Sequence, residues 1–449
     1  MVLLVYLIYS IALLAGLAAY SPVLAYRALR HGKYLSSLRQ RMGYLPVSFN
    51  LDAEESIWVH AVSVGEVLSV RPVLAELRTR YPGLRLFLST TTLSGQQLAR
   101  ATLTDLDGVF FFPFDFGLIV RRTLDQVKPR LFVMVETEIW PNLLRECRRR
   151  GIATILVNGR ISHRSFPRYR LLAPLFRRVL GNVDRFCVQG EETERRLVAL
   201  GADPSRVTVT GSLKFDSLDP SVPPGRGPAR VMRFFRVAPN RPVLVAGSTI
   251  KGEEEPVIRA FNRVRTTTAG QGALLVIAAR HPERFDDVER LCRQEGLRTV
   301  RRSELPIDAD PRADAVILDT IGELAQLYQI ATVVFVGGSL VPAGGHNILE
   351  PAAHGKPIVF GPHMENFGEI AREFLAHDAA VRVPSERDLY EAILALMGDS
   401  VRRARLGAAA RALVQANRGA KDKTLAVIAE VLPVERRRPG VVRPFRIVH

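Results

Sequence analysis

The chain has 449 residues, 47% of them hydrophobic, and 62 Lys and Arg against 45 Asp and Glu give it a formal net charge of +17. That length exceeds one ordinary core and points to two domains with an appendage, while the charge favours polyanionic partners such as anionic headgroups or phosphorylated substrates. The three cysteines (Cys147, Cys187, Cys292) form no C-x-x-C pair, which argues against a disulfide framework or zinc ribbon, and no RNP-like or zinc-finger pattern favours nucleic acid.

In chain order, the first element is an uncharged apolar run from Val2 to Leu24. About 20 helical residues cross a hydrocarbon core, so residues 1–26 read as a single-pass anchor. No Lys or Arg precedes the run, and it is too long for the apolar region of a signal peptide. Arg27, Arg30, Lys33, Arg39 and Arg41 follow within the basic segment 27–55. By the positive-inside rule they stay in the cytoplasm, against an anionic membrane surface.

From residue 56 one rhythm repeats: a short β-branched run, a Gly/Ser/Asn turn, then an amphipathic helix. Strands are predicted at 57–62, 84–89, 131–135, 154–157, 185–188 and 207–210. A second series is predicted at 243–246, 274–278, 315–318, 333–336 and 357–360. Such alternation implies an α/β fold with parallel sheets, here two Rossmann-like domains at 56–216 and 230–430. A Pro- and Gly-rich linker at 217–229 separates them, a basic tail occupies 431–449, and ligands are expected in a cleft at the strand carboxyl ends.

Two motifs at strand ends carry acids. In Val59-His-Ala-Val-Ser-Val-Gly-Glu66 a strand runs into a turn, and Glu66 stands in the first turn of a helix. Such a glutamate can simply complement the helix dipole, or it can serve as a general base with Gly65 admitting the substrate. The dipole is expected to depress its pKa and keep it ionised. In Leu131-Phe-Val-Met-Val-Glu-Thr-Glu-Ile-Trp-Pro141, Glu136 and Glu138 close a buried strand. They point to one side if the strand persists, as a catalytic pair or as a capping acid and a solvent-facing one.

The second series ends in backbone turns suited to a nucleotide. These are Ala246-Gly-Ser-Thr249, Ala279-Arg-His-Pro-Glu-Arg284, Asp319-Thr-Ile-Gly-Glu323, Gly337-Gly-Ser339 and Gly344-Gly-His-Asn-Ile-Leu-Glu350. The last delivers glycines to a helix start, where free N–H groups favour a phosphate. The D-x-D triplets at Asp105/Asp107 and Asp308/Asp310 follow no convincing buried strand, and the histidines lack H-E-x-x-H spacing, so no metal is expected.

Together these runs resemble the Kdo (3-deoxy-D-manno-octulosonic acid) transferases of lipopolysaccharide assembly. The shared runs include S-V-G-E, E-T-E-I-W-P, Val209-Thr-Gly-Ser-Leu-Lys-Phe-Asp216, R-H-P-E-R-F, D-T-I-G-E-L, F-V-G-G-S-L, G-G-H-N-I-L-E-P and G-P-H-x-x-N-F. The resemblance implies a GT-B glycosyltransferase that moves Kdo from CMP-Kdo to the lipid A precursor lipid IVA with inversion. It needs no other cofactor and works on the cytoplasmic side of the inner membrane. It further implies Glu66 as base, with Glu136 and Lys214 supporting the transition state. The CMP portion would meet Ala279, Arg280, Ile321, Gly322, Glu323 and Asn347, Ile348, Leu349, Glu350. Two positions depart from the pattern: Ala279 replaces a proline, and Ile250-Lys251 replace a His-Glu pair. Arg160, Arg164 and Arg168, near the apolar stretch 171–176, are candidate acceptor contacts or ordinary solvated arginines. Rival readings are a GT-B transferase using a UDP-sugar, a Rossmann-like epimerase, and a basic membrane-tethered binding module.

Overall fold

Strands that are apolar along their whole length, rather than at alternate positions, demand cover on both faces of the sheet. The computed structural model provides it twice, and describes residues 2–31, 35–162, 165–218, 241–305, 311–320 and 322–433. Arg164, Ile321, the Asp308/Asp310 triplet, most of the predicted linker and nearly all of the basic tail lie outside the described residues.

The chain forms two compact units. The first comprises residues 1–217 and 418–449, the second 218–417. In the first unit the strands are β1 (Ser56–His60), β2 (Arg85–Thr90), β3 (Gly108–Phe111), β4 (Pro129–Val135), β5 (Ala153–Gly159), β6 (Arg185–Val188) and β7 (Val207–Val209). They form a parallel sheet of order β3-β2-β1-β4-β5-β6-β7. One face packs Trp58, Phe87, Phe110, Phe132 and Phe186, while the other packs Ile57, Val59, Leu86, Leu131 and Val133. Strand order reverses between β1 and β4, so the loops after these two strands diverge and leave a crevice at their carboxyl ends.

The second unit repeats the plan with β8 (Val243–Thr249), β9 (Leu274–Ala279), β10 (Thr299–Arg301), β11 (Ala315–Ile317), β12 (Val333–Val336), β13 (Ile358–Phe360) and β14 (Val381–Arg382). Its parallel order is β10-β11-β9-β8-β12-β13-β14, with the reversal between β8 and β12. The strands absent from the sequence reading, β3, β10 and β14, are the short edge strands and the innermost-buried signal is weakest there. All eleven predicted strands are present, with ends displaced by a few residues.

Two expectations need revision. The boundary 230–430 assigns the final helix to the second domain, yet the helix Ala420–Val431 belongs to the first unit. Its Ala420, Leu425, Val427 and Ile428 join the face made by Ile57, Leu131 and Val133, and Tyr81 donates its hydroxyl to the carbonyl of Leu432 at 2.6 Å. A linear pattern of strands and helices carries no sign that the chain has returned. The second concerns the amino terminus. A helix spans Val2–His31, but among the described residues no helix is long and apolar enough to cross a membrane. Part of its surface serves the first unit instead. Tyr6 is buried and its hydroxyl accepts from Asn182 (3.0 Å), Ser10 Oγ accepts from Asn142 (3.1 Å), and Tyr9 hydrogen-bonds Asp115. Leu7, Ile8, Ile11 and Leu14 are left exposed.

The return helix is held at its start by Asp216, whose carboxylate accepts the N–H groups of Gly419 (2.9 Å) and Lys421 (2.6 Å). Asp216→Ala leaves both donors without their carboxylate and is expected to lower stability by about 1–3 kcal/mol in urea unfolding. An unchanged midpoint would show that this clamp contributes nothing.

Candidate active site

The turn after β1 places Glu66. Ser63 is the N-cap of the helix Val64–Arg80, but its hydroxyl does not cap the backbone. It donates instead to Glu66 Oε1 at 3.0 Å, while Oε2 accepts the N–H of Val62 at 2.8 Å. The carboxylate thus reaches back over the helix start in the manner of a capping box. The structural role and a chemical role are therefore compatible in one residue. A Cβ added to Gly65 would meet nothing within 4 Å, so the protein itself leaves that space open.

The expected ionisation of Glu66 is reversed. Its pKa is raised from 4.5 to about 8, first by burial and then by the charge of Glu136, with Glu138 adding a smaller push. The bonds from Val62 and Ser63 pull it down but do not prevail. The dipole argument fails because one N–H and one hydroxyl do not offset burial beside two like charges.

Nor do Glu136 and Glu138 share a side of a continuing strand. β4 stops at Val135, and Glu136 takes a left-handed backbone, φ 61°. A non-glycine residue held there costs about 1–3 kcal/mol and marks a position fixed by its surroundings. Its N–H bonds Val157 O at 3.0 Å, and its carboxylate lies 3.7 Å from Lys214 Nζ. Lys214 sits on the short helix Leu213–Asp216, whose first N–H is accepted at 3.0 Å by Asn158 Oδ1, from the end of β5. Asn158 is also left-handed, φ 54°. Glu138 turns elsewhere, accepting from Trp140 Nε1 at 3.0 Å and lying 3.4 Å from His60 Nε2. The structure therefore brings together Glu66, Glu136 and Lys214, the three residues named through the resemblance, with Glu138, His60 and Asn158 beside them.

Of the candidate acceptor arginines, Arg160 is half-buried just after β5, and its carbonyl accepts the Thr137 hydroxyl. Arg168 is exposed on the helix Phe166–Leu171. Asp107 is engaged structurally, by Arg78, Arg85 and the N–H of Leu86. Among the described residues no group of three or more His, Cys, Asp or Glu is arranged to hold a metal.

In the second unit the loops after β8 and β12 are joined by Glu253. This fully buried carboxylate accepts N–H groups from Ile250 (3.0 Å), Gly338, Ser339 (3.2 Å) and Leu340 (3.3 Å). Gly337 has no alternative here, because a Cβ would lie 2.4 Å from Ser248 O. The predicted nucleotide contacts divide into two kinds. Arg280 is exposed and its charge reaches both Glu350 and His346. Asn347 donates to Glu350 at 3.0 Å and accepts the N–H of Leu349, also at 3.0 Å. Glu350 is held above its ordinary pKa by burial, and His346 is pushed down to about 4 by burial and by Arg280. Glu323 is engaged by Arg302 at 3.1 Å and by the Thr320 hydroxyl at 2.6 Å. Ala279 ends β9 half-buried and Gly322 is left-handed, φ 88°. Ile348 and Leu349 are fully buried, and the N–H of Leu349 is taken by Asn347.

Sequence reasoning passed over Glu253 and His60. A charged residue amid a turn otherwise shaped by glycine, and a histidine inside a wholly apolar strand, were the available signals.

The family model described as 3-Deoxy-D-manno-octulosonic-acid transferase (kdotransferase) matches residues 36–217. The 3-deoxy-D-manno-octulosonic acid transferase of Bordetella pertussis is 35% identical over 386 residues, 84% of this chain and 87% of that protein. The enzyme of the same description from Haemophilus influenzae is 31% identical over 408 residues, 90% of this chain and 93% of that protein. Among solved structures, a glycosyltransferase from Rickettsia africae aligns with TM-score 0.56 at 13% identity, over 86% of this chain and 100% of that one, a likeness of fold.

Removing the charge of Glu66 tests its environment. With a folded pKa of about 8 against 4.5, the wild-type protein loses stability relative to Glu66→Gln as pH rises between those values, and the gap then stays constant. Thermal unfolding of both proteins across that range checks the sign; a gap that is flat with pH would overturn it.

Proposed function

The chain belongs to the 3-deoxy-D-manno-octulosonic acid (Kdo) transferase family, and we propose that it moves Kdo from CMP-Kdo onto the lipid A precursor lipid IVA by an inverting displacement. The observation that carries this reading is Glu66, a carboxylate at the strand-order reversal whose pKa of about 8 suits it to take a proton from a sugar hydroxyl.

In this mechanism the acceptor hydroxyl gives its proton to Glu66 as its oxygen bonds to the anomeric carbon of Kdo. The bond to the phosphate breaks, and CMP departs as a phosphate monoester anion. Such a leaving group needs little help from a general acid, so one base suffices. Lys214, oriented by Glu136, supplies positive charge for the Kdo carboxylate or the phosphate. On the donor side, Arg280 offers a cation and Asn347 an amide, with Glu350 fixed by Asn347 and the buried Ile348 and Leu349 completing the helix start behind them. Ala279, Ile321, Gly322 and Glu323 belong to the same proposed CMP contacts.

We assign the acceptor's phosphates to Arg160, Arg164 and Arg168, and the chain to the cytoplasmic side of the inner membrane. The uncharged run from Val2 to Leu24 and the exposed Leu7, Ile8, Ile11 and Leu14 support attachment through residues 1–26. The arginines that follow supply headgroup contacts.

Mass spectrometry of the lipid made from CMP-Kdo and lipid IVA is expected to show the acceptor mass increased by one or more Kdo residues. Turnover with UDP-sugars alone would refute the donor assignment. Glu66→Gln should reduce kcat by about 10²–10⁴ while CMP still binds. In the wild type, kcat/KM should rise with pH towards a plateau above about 8.

A further inference from the structure

We propose that the buried Asn158 is the positioning residue that sets Lys214 opposite Glu136. The inference rests on the reading of Lys214 given above.

β4 and β5 end side by side, with Val135 paired to Val157. The chain leaves each strand through a left-handed residue, Glu136 at φ 61° and Asn158 at φ 54°. The N–H of Glu136 is held at 3.0 Å by the carbonyl of Val157, which belongs to the peptide that joins Val157 to Asn158. The carbonyl of Asn158 itself accepts from Gln189 Nε2 at 3.0 Å. Its side-chain Oδ1 accepts the N–H of Leu213, also at 3.0 Å. Leu213 opens the helix Leu213–Asp216, and Lys214 is the second residue of that helix. One residue therefore ties down both sides of the 3.7 Å contact between Lys214 Nζ and Glu136. The carboxylate is tied through the peptide before Asn158, the ammonium through its side chain.

Asn158 carries two burdens that glycine would not. A left-handed backbone disfavours any residue with a Cβ, asparagine less than most, whereas glycine adopts it freely. The side chain is also fully buried, and its Nδ2 has no hydrogen-bond partner among the described residues, an unfavourable state for a donor. What glycine lacks is the acceptor, and that acceptor serves the helix of Lys214. Leu213 and Phe215 are buried and keep this helix against the core. Burial has no direction, however, whereas the bond to Leu213 fixes where the helix begins. A cation that answers charge in a reaction must be held in place beforehand, and a shift of about 1 Å is enough to matter. Asn158 works through Lys214 without reaching substrate.

In the full chain, Asn158→Gly keeps the left-handed turn and removes the acceptor. Turnover of CMP-Kdo with lipid IVA should fall by about 10–100-fold in kcat. A merely structural role is separated by repeating the substitution in Lys214→Ala under single-turnover conditions. With the ammonium gone, Asn158→Gly should change the rate by no more than about twofold. Wild-type turnover by Asn158→Gly, or equal losses with and without Lys214, overturns the proposal. Hydrogen exchange across residues 211–217 gives a reading independent of activity. The first amides of a helix have no partner within it, yet the Leu213 amide should be protected in the wild type. It should exchange about tenfold faster in Asn158→Gly. Rapid exchange at Leu213 in the wild type, or protection that survives Asn158→Gly, also overturns it. Full turnover by Lys214→Ala would instead refute the role of the lysine, and the exchange result would stand apart from that failure.

Discussion

Carboxylates brought together at the end of a sheet buried on both faces repel one another, and each neighbour in the first unit can be read as a response. Glu66, Glu136 and Glu138 converge where strand order reverses. Lys214 answers Glu136, Trp140 and His60 answer Glu138, and Glu66 is left with one N–H and one hydroxyl. Burial and the charge of Glu136 then outweigh those two bonds and raise the pKa of Glu66 to about 8. Preorganised charge of this kind is also what allows a site to respond to charge developing in a reaction without rearranging.

The second unit shows the opposite use of the same location. Glu253 also sits at a strand-order reversal, but four backbone N–H groups converge on it and no acid competes for them. Burial still raises its pKa, yet its oxygens are occupied in holding two loops together. A saturated carboxylate organises backbone; a partly satisfied one remains available for chemistry. The contrast between Glu253 and Glu66 lies in the number of donors, not in their position in the fold.

Much of the architecture was legible because parallel strands covered on both faces read as continuous apolar runs, and β4 from Pro129 to Val135 is a clear example. The edge strands β3, β10 and β14 were not, since short edges carry little of that signal. Glu66, Glu136 and Lys214 could be nominated from motifs, but the ionisation of Glu66 depends on Glu136, 70 positions away in sequence and adjacent only through the pairing of β1 with β4. The left-handed turn at Glu136 was likewise invisible, because nothing in Glu-Thr-Glu announces that the strand stops one residue earlier. His60 looked like one more histidine in a strand. Only the fold supplies Ser89 on one side of its ring and Glu138 on the other.

The return of the helix Ala420–Val431 to the first unit bears on how the protein is made. During synthesis the first seven strands leave the ribosome some 200 residues before the helix that packs on β5 and β6, over the side of the sheet that holds Ile155, Val157 and Cys187, exists. Until then the part of that face beside the helix Val64–Arg80 stands open, the kind of surface on which unfinished chains associate. The second unit, continuous in sequence from 218 to 417, can close its core without waiting. Order of folding would then run against order of synthesis, with the segment that carries Glu66 among the first translated and the last sealed.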